Sequence, residues 1–371
     1  EPYAIEIQSS GQLGATMSHY DFGVTTGESF TEQLSTLWTF AEAHKDAAVY
    51  RDFLVYYNPN NVDTNVTVTL IYDDGSVTTF TRTLGALRRG GVNFNEDGAV
   101  TRSGVFSVKV ESDAPIVAAL TSYDIQNGRG FALLGDPNGG SVTGVVPSIS
   151  TGSGVESAVA IYNPGSSSVA VTIRATYQRA DLPDLVRTIT VAPGGRFSAS
   201  MAQLGLIDSQ VAGLRYEATA PVTFSTHQYR VGDGDATAAA TRAATTALIG
   251  DAFVNPAVAG ITYIEELALY NPASIDVNIT ITFLFSDGTV GQYVDPSTGQ
   301  NFINLRPDSF GFIRIDQQPA ILSRPDLAFF SIRLEAPTPF VSAFNHYDLF
   351  LNGGWGTLPA PVGLTVPLSR I

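Results

Sequence analysis

The residues best suited to acid–base chemistry are four histidines, and two of them share one place in a repeated pattern. The four are His19, His44, His227 and His346. His19 and His346 each precede Tyr-Asp, and the matching positions of the other copies hold Ser122 and Gln228. A metal ligand or a general base loses its chemistry when serine or glutamine replaces it. We therefore predict a structural role for the histidines, as hydrogen-bonding side chains near strand ends.

Acidic turns are the second candidate site, because calcium prefers carboxylate oxygens. The turns are Asp73-Asp74-Gly75, Asp233-Gly234-Asp235 and Asp287-Gly288. None is part of a twelve-residue loop that ends in glutamate, and hairpin turns already explain Asp-Gly between alternating strands. Calcium is thus the one metal or cofactor that the sequence leaves open, with Asp233 and Asp235 as its best ligands.

Known catalytic motifs do not occur in the chain. There is no Gly-x-Ser-x-Gly elbow, His-Glu-x-x-His helix or phosphate-binding loop. The short run Gly152-Ser153-Gly154 lies in a turn before a strand and has no suitably placed base. We predict that the protein is not an enzyme, with no catalytic and no cofactor-binding residues.

The elements that position these residues belong to a long repeat, marked by an apolar run that ends in Tyr-Asn-Pro. Its three copies end at Pro59, Pro164 and Pro272, and the interval is 105 residues and then 108. Such a period corresponds to one small domain per repeat. Apolar and aromatic residues favour a buried strand, asparagine favours a turn, and proline cannot donate to a central ladder.

Composition and charge narrow the class of protein. The 371 residues are 44% hydrophobic and 15% charged, which is typical of a globular chain, and 35 glycines with 20 prolines indicate many turns. The net charge of −15 argues against nucleic acid as a partner. Disulfides are excluded because cysteine is absent, and no apolar run reaches the ~18–20 residues of a membrane span.

The repeat predicts an all-β fold of tandem β-sandwich domains in a linear array. Alternating runs such as Val66–Tyr72, followed by Asp-Gly, predict hairpins. Two strands joined at an acidic-small-Pro corner are predicted late in each repeat, and Ala236–Leu248 is predicted to be a short helix or a loose loop. The predicted units are the second half of a sandwich repeat at 1–36, and complete repeats at 37–145, 146–250 and 251–371, the last ending with the start of a following strand.

Several motifs together resemble an uncharacterised family of immunoglobulin-like β-sandwich repeats of bacterial secreted and cell-surface proteins. They are Trp38-Thr39-Phe40-Ala41-Glu42, Tyr-Asn-Pro, the Val/Thr strand with Asp-Gly, and Phe106–Val117. The resemblance covers nearly the whole chain and is best in residues 37–124. It implies an immunoglobulin-like fold and an extracellular or cell-surface location, and it assigns no catalytic residues.

Two functions remain open at this point. The first is a structural subunit of a filament, layer or stalk, because tandem units without a distinctive polar cluster suit a spacer or a polymer. The alternative is an adhesive module that binds a surface glycan through recurring aromatics. The aromatics concerned are Tyr56, Tyr57, Tyr162 and Tyr270, although packing also explains their recurrence.

The two ends of the chain suggest a mode of self-association. Residues 1–36 supply only the later strands of a sandwich, and such an open sheet edge can accept a strand from another chain. The C-terminal segment resembles an opening strand, so a neighbouring copy could donate it head to tail. A longer natural chain explains both ends equally well. The predicted assembly residues are Tyr3, Ile5, Ile7, Leu364, Val366 and Leu368.

Overall fold

The computed structural model of the protein describes residues 3–230, 233–255, 263–348 and 353–370. Nearly all of its regular structure is β-strand, which confirms the predicted all-β class. The α-helices of the described residues are α1 (Met201–Leu204) and α2 (Pro319–Leu322), each of four residues. Neither has the length that crossing a membrane requires.

The strands form one hairpin followed by three similar groups. The hairpin is β1 (Thr16–Asp21) and β2 (Val24–Ser29). Repeat 1 consists of β3 (Ser35–Lys45), β4 (Tyr50–Tyr57), β5 (Thr64–Tyr72), β6 (Val77–Leu84), β7 (Arg89–Asn93), β8 (Gly104–Asp124) and β9 (Arg129–Leu134). Repeat 2 consists of β10 (Ser141–Ser150), β11 (Val155–Tyr162), β12 (Val169–Tyr177), β13 (Leu185–Val191), β14 (Arg196–Ser200), β15 (Val211–Arg230) and β16 (Asp233–Ala238). Repeat 3 consists of β17 (Arg242–Phe253), β18 (Tyr263–Asn271), β19 (Val277–Phe285), β20 (Val290–Gln292), β21 (Ile303–Leu305), β22 (Ser309–Arg314), β23 (Phe329–Asp348), β24 (Gly353–Thr357) and β25 (Ala360–Pro367).

Each repeat buries one core between two groups of strands. In repeat 1, β8 pairs through its first half with β3 and β5, and through its second half with β4 and β9. Apolar residues of β3 to β8 alternate into a shared core, where Trp38 is 1% exposed and donates from Nε1 to the Ile116 carbonyl at 2.9 Å. This arrangement resembles a sandwich, with the alternation placing one face of each strand inside.

The acidic-small-Pro corner is the first correction to the sequence prediction. Instead of two strands joined by a turn, one long strand runs through the corner in each repeat, as β8, β15 and β23. Pairing passes from one set of neighbours to the other at this point, since β5 pairs β8 up to Ser112 and β4 pairs it from Val117. A strand that switches sheets forms such a corner without breaking the chain direction.

The asparagine of each Tyr-Asn-Pro motif is fully buried and ties two loops together. The Asn58 side-chain amide donates to the carbonyls of Val62 at 2.8 Å, Gly85 at 3.1 Å and Leu84 at 3.4 Å. Its Oδ1 accepts from the Asn60 amide at 3.0 Å. The same bonds recur at Asn163 and Asn271. The motif therefore repeats because one side chain satisfies several buried carbonyls at once.

We expect Asn58→Asp to destabilise repeat 1. Aspartate cannot donate, so three carbonyls lose their partner and a buried charge faces them, which should cost roughly 2–4 kcal/mol. Urea unfolding followed by tryptophan fluorescence, to which Trp38 and Trp355 both contribute, measures the loss. The exposed neighbour Asn61 provides the matched control, because Asn61→Asp should change the free energy of unfolding by about 0.5 kcal/mol or less. Equal effects of both substitutions would contradict this role of Asn58.

Two other local predictions have different outcomes. The Asp-Gly hairpins are present between β5 and β6 and between β19 and β20, with Gly75 at φ 78° and Gly288 at φ 83°. The Ala/Thr-rich segment Ala236–Leu248 is neither helix nor loose loop, because it forms the end of β16 and most of β17. Its small side chains allow β16 and β17 to pack closely against their own neighbouring strands, and several of its alanines are almost fully buried.

The predicted unit limits and the first predicted strand are also placed differently. The limits after 145 and after 250 lie inside β10 and β17. Residues 1–36 are predicted to supply the later strands of a sandwich, the first of them at Tyr3–Ser10, and the structure has no strand at Tyr3–Ser10. The matching part of β8 pairs with β3 and β5, and the segment Tyr3–Ser10 has no such neighbours among the described residues.

Four hairpins meet at the centre of the molecule. They are β1–β2 and the hairpins in which the second halves of β8, β15 and β23 pair with β9, β16 and β24; we call them the central hairpins. Strand β2 contacts β9, β9 contacts β16, β16 contacts β24, and β24 contacts β2, which closes a ring. The repeats thus converge on one centre, whereas the sequence predicted a linear array.

Glycine allows the central hairpins to approach each other. A Cβ at Gly234 would lie 2.4 Å from the Gly130 carbonyl oxygen, and one at Gly27 would lie 2.9 Å from Trp355 Cβ. Cβ positions at Gly354 and Gly356 would lie 3.0 Å and 2.8 Å from the Cβ atoms of Asp233 and Asp235. The ring therefore depends on positions without side chains, where backbone meets backbone or a neighbouring side chain.

We expect Gly234→Ala to loosen the contact between the second and third central hairpins. The added methyl group meets a backbone carbonyl, which cannot rotate away, so overpacking should cost about 1–3 kcal/mol. Thermal unfolding by calorimetry checks this. Gly98→Ala is the control, because a Cβ at Gly98 meets nothing within 4 Å. A Gly234→Ala protein as stable as the Gly98→Ala protein would show that the hairpins do not pack this closely.

Candidate functional site

The central hairpins bring one equivalent tyrosine from each copy to the junctions between repeats. Strand pairing aligns Tyr20, Tyr123, Tyr229 and Tyr347. The last three are buried, whereas Tyr20 is 69% exposed. Each buried tyrosine contacts the preceding hairpin: Tyr123 Oη lies 2.9 Å from His19 Nδ1, Tyr229 lies under the Arg129 guanidinium, and Tyr347 bonds Asp235.

A fully buried carboxylate, Asp52, connects three strands of repeat 1. Asp52 Oδ2 accepts from the backbone amide of His44 at 2.7 Å and lies 3.1 Å from its Nδ1. The other oxygen, Oδ1, accepts from the Ser122 hydroxyl at 2.7 Å. The His44 ring stacks on Tyr50 with centroids 4.2 Å apart. This group, His44, Asp52 and Ser122, is here called the carboxylate cluster.

The carboxylate cluster holds its histidine in the charged form. Burial alone would lower the pKa of His44, but the nearby charges and hydrogen bonds of Asp52 and Glu42 outweigh burial and raise that pKa to about 10. An imidazolium at neutral pH is not a general base. The serine hydroxyl and the imidazole bind different oxygens of the same carboxylate, so the carboxylate separates the two groups that a nucleophilic site would bring together.

Glu42 links the carboxylate cluster to repeat 2. Its Oε2 accepts from Arg196 Nη2 at 2.7 Å, and Oε1 lies 3.6 Å from both His44 Nε2 and His227 Nδ1. Arg196 also pairs with Asp73. Burial would raise the pKa of Glu42, but the hydrogen bond from His44 and the neighbouring positive charges hold it well below its usual range. Burial lowers the pKa of His227. These contacts join repeats 1 and 2 by charge.

The calcium candidates Asp233 and Asp235 lie at the junction of repeats 2 and 3. Asp235 Oδ2 accepts from Gln228 Nε2 at 2.9 Å and from the Tyr347 hydroxyl. Burial raises the pKa of Asp235 to about 6 and that of Asp233 to about 8. At neutral pH this pKa keeps Asp233 largely protonated, and a protonated carboxyl is a poor calcium ligand. Within the described ranges there is no group of three or more acidic or histidine side chains that could hold a metal ion. Asp235 therefore lies in hydrogen-bonded packing, whereas the side-chain oxygens of Asp233 are buried.

The remaining histidines, His19 and His346, also contact polar side chains. His346 Nδ1 lies 2.7 Å from Glu265 Oε1, and the same carboxylate oxygen accepts from the Phe253 amide at 2.9 Å. His19 meets Tyr123 across two central hairpins. The contact of His19 thus connects two hairpins, whereas that of His346 lies within repeat 3. Sequence reasoning missed Asp52, Ser122 and Arg196, and their only signal would have been polar residues on the inward face of apolar strands.

The predicted assembly residues fall into two separate groups. Tyr3, Ile5 and Ile7 are exposed and outside any strand, with Tyr3 and Ile5 beside Tyr57 in a pocket of about 210 Å³. Leu364 and Val366 lie in β25, which pairs with β17 of the same chain, and Leu368 begins a short 3₁₀ turn. The C-terminal strand is thus already paired within its own chain.

The predicted sugar-binding aromatics are mostly in the core. Tyr56, Tyr162 and Tyr270 are buried, and Tyr57, which is partly exposed, donates to Glu6 at 3.2 Å. Recurrence of these residues therefore reflects packing.

A cavity of about 510 Å³ opens between repeats 1 and 2, beside His227. Tyr50 and Tyr229 supply aromatic walls, and Asp208 supplies a carboxylate. Arg129 crosses the cavity wall: it bonds Asp124 at 2.8 Å and Glu156 at 2.7 Å. This combination of aromatic faces and charged hydrogen-bonding groups could hold a hydroxyl-rich ligand.

Comparison with known proteins assigns neither a family nor a function. No family model matches the chain, and no curated protein sequence matches it. Among solved structures, Thermotoga maritima 1070 is 15% identical, covering 27% of this chain and 93% of that chain with a TM-score of 0.25. The Anabaena sensory rhodopsin transducer is 23% identical, covering 23% of this chain and 93% of that chain with a TM-score of 0.21. Neither likeness bears on function.

Proposed function

We propose that the protein is a non-enzymatic structural subunit of an extracellular or cell-surface assembly, such as a filament, layer or stalk. The observation that carries the proposal is the use of its polar groups. Glu42 with Arg196 joins repeat 1 to repeat 2, and Asp235 with Tyr347 joins repeat 2 to repeat 3. The carboxylate cluster lies within repeat 1, where His44 is next to Glu42. Buried charged groups that pair between repeats hold the repeats in a fixed arrangement, which suits a structural subunit better than a reaction centre.

Location and type of assembly rest on other grounds. The extracellular location and the immunoglobulin-like family rest on the resemblance of the sequence motifs. The net charge of −15 suits a solvent-exposed protein and disfavours nucleic acid. Self-association remains part of the proposal, but tail donation would require β25 to leave β17.

The alternative is a glycan-binding module, and the cavity at Tyr50 and Tyr229 favours it. Sugar rings stack on aromatic faces while their hydroxyls bond charged side chains. The Arg129–Glu156 pair would supply such bonds at the cavity wall.

Two experiments separate the functions. Electron microscopy of native material, with antibody raised against the purified chain, should label an ordered extracellular array if the structural role is right. A glycan array with isolated monomers should then show no strong ligand. Strong glycan binding that is lost in Tyr50→Ala, together with the absence of labelled arrays, would replace the structural proposal with the adhesive one.

A further inference from the structure

The first central hairpin lacks a neighbour that every other central hairpin has. In the three repeats, the second halves of β8, β15 and β23 each pair on one edge with the hairpin partner and on the other with β4, β11 or β18. Strand β1 pairs with β2, and no described residue pairs with its other edge. One strand position in the fourfold arrangement is therefore unfilled within the described part of the chain.

The backbone of β1 is aligned for pairing at that edge. The Phe30 amide donates to the Ala15 carbonyl at 3.2 Å, so Ala15 faces β2. In an antiparallel ladder successive residues face opposite edges, so Met17 and His19 also face β2 while Ser18 and Tyr20 direct their backbone groups outward. In repeat 1 the Gly135 amide donates to the Ala118 carbonyl, so the residues of β8 alternate in the same way between the edges that face β9 and β4.

The exposure of the Met17 side chain also indicates that, among the described residues, a neighbouring strand is missing at the outer edge of β1. Met17 is 38% exposed, whereas Leu120, Thr226 and Phe344 at the matching positions are 0%, 3% and 0% exposed. In repeat 1 the residue that faces Leu120 from the neighbouring strand is Leu54 of β4. Met17 is thus an apolar residue at a position that is buried in the core of each complete repeat.

The three repeats show which strand belongs there. β4, β11 and the described strand β18 each pair eight residues antiparallel with the hairpin strand, and the Tyr of Tyr-Asn-Pro ends each pairing. A second copy of the chain has none of these free, because each is paired on both edges. The C-terminal strand β25 is paired with β17.

We propose that the outer edge of β1 is a docking site for a Tyr-Asn-Pro strand that belongs to the first half of one additional repeat. The partner is a polypeptide segment whose eight residues alternate as in β4, placing an apolar side chain opposite Met17. This proposal rests on the proposed structural role, and it specifies which kind of strand binds at the outer edge of β1. Backbone hydrogen bonds at Thr16, Ser18 and Tyr20 would provide affinity. The apolar side chain opposite Met17 would set the register of the bound strand.

Cysteine crosslinking tests the register, because the protein contains no cysteine. The full chain carrying Met17→Cys is mixed under mild oxidation with a synthetic peptide of residues 49–61 in which Leu54 is replaced by cysteine. Residues 17 and 54 would form a non-hydrogen-bonded cross-strand pair, whose Cα separation suits a disulfide. We expect rapid crosslinking, and crosslinking at least about fivefold slower for a peptide with its cysteine at position 55, which points to the other face.

A proline variant tests the backbone contact. Ser18→Pro removes an outward amide without removing a β1–β2 hydrogen bond, so it should cut the crosslinking yield by about tenfold. Ser18→Ala keeps the amide and should leave the yield unchanged, and circular dichroism confirms that all variants are folded. Crosslinking that is independent of register or unaffected by Ser18→Pro overturns the docking site. The monomeric chain is used throughout, so this result is separate from the microscopy that tests the proposed function.

Discussion

We expect Asp52→Asn to destabilise the protein by roughly 3–5 kcal/mol at pH 7, because it leaves a buried imidazolium without its main partner. His44 keeps only Glu42, at 3.6 Å. The Ser122 hydroxyl and the His44 amide also lose a charged acceptor. Equilibrium unfolding in guanidinium chloride, followed by fluorescence, measures the change.

The sign of the pH dependence gives an independent check. The folded-state pKa of His44 is about 10 against an ordinary 6.5, so its stabilisation is complete below pH 6.5 and is lost as pH rises towards 10. In the Asp52→Asn protein, the free energy of unfolding should therefore fall less steeply between pH 6.5 and 10 than in the native protein.

The control for Asp52→Asn is the same substitution in an exposed ion pair. Asp74 bonds Arg102 at 2.8 Å with both side chains about half exposed, so Asp74→Asn should cost less than about 1 kcal/mol. In a double-mutant cycle, His44→Gln should cost much less in the Asp52→Asn background than in the native protein. Additive losses would contradict the direct coupling of the two side chains.

We also expect the free energy of unfolding to fall as pH rises from about 4 to 8, opposite to the usual behaviour of surface carboxyls. Burial raises the pKa of Glu28 and of Asp233 to about 8, and that of Asp235 to about 6. The folded state therefore keeps protons that the unfolded chain has released, and stability declines with pH across this window. Chemical denaturation at intervals of one pH unit measures the slope.

Asp233→Asn should flatten this slope. The amide keeps the shape of the side chain without a charge, and each unit of raised pKa corresponds to about 1.4 kcal/mol, so unfolding at pH 9 should cost roughly 2–5 kcal/mol more than in the native protein. At pH 4 the two proteins should be equally stable. Asp276→Asn, at an exposed position, controls for the general relief of negative charge and should change little at either pH. A native protein whose stability does not decline with pH would contradict the buried, protonated state of these groups.

Local patterns in the sequence determined the elements. Alternation predicted the strands, Asp-Gly predicted two hairpins, and Tyr-Asn-Pro marked a strand end in every repeat. These signals act over a few residues: the Asn58 amide bonds Val62, and Gly75 and Gly288 adopt the positive φ that their turns need. Backbone sterics and side-chain period are properties of neighbours in the chain, so they can be read without knowing the fold.

The closed ring, the carboxylate cluster and the place of β25 were decided by tertiary structure. Ser122 lies 70 residues from Asp52, and Arg196 lies 154 residues from Glu42. The acidic turn makes Asp235 a calcium candidate from sequence alone, yet in the structure its Oδ2 accepts from the hydroxyl of Tyr347, 112 residues away. Long-range pairing fixes which groups share a desolvated space, and desolvation sets whether a carboxyl is a ligand, a hydrogen-bond donor or a charge that joins two repeats.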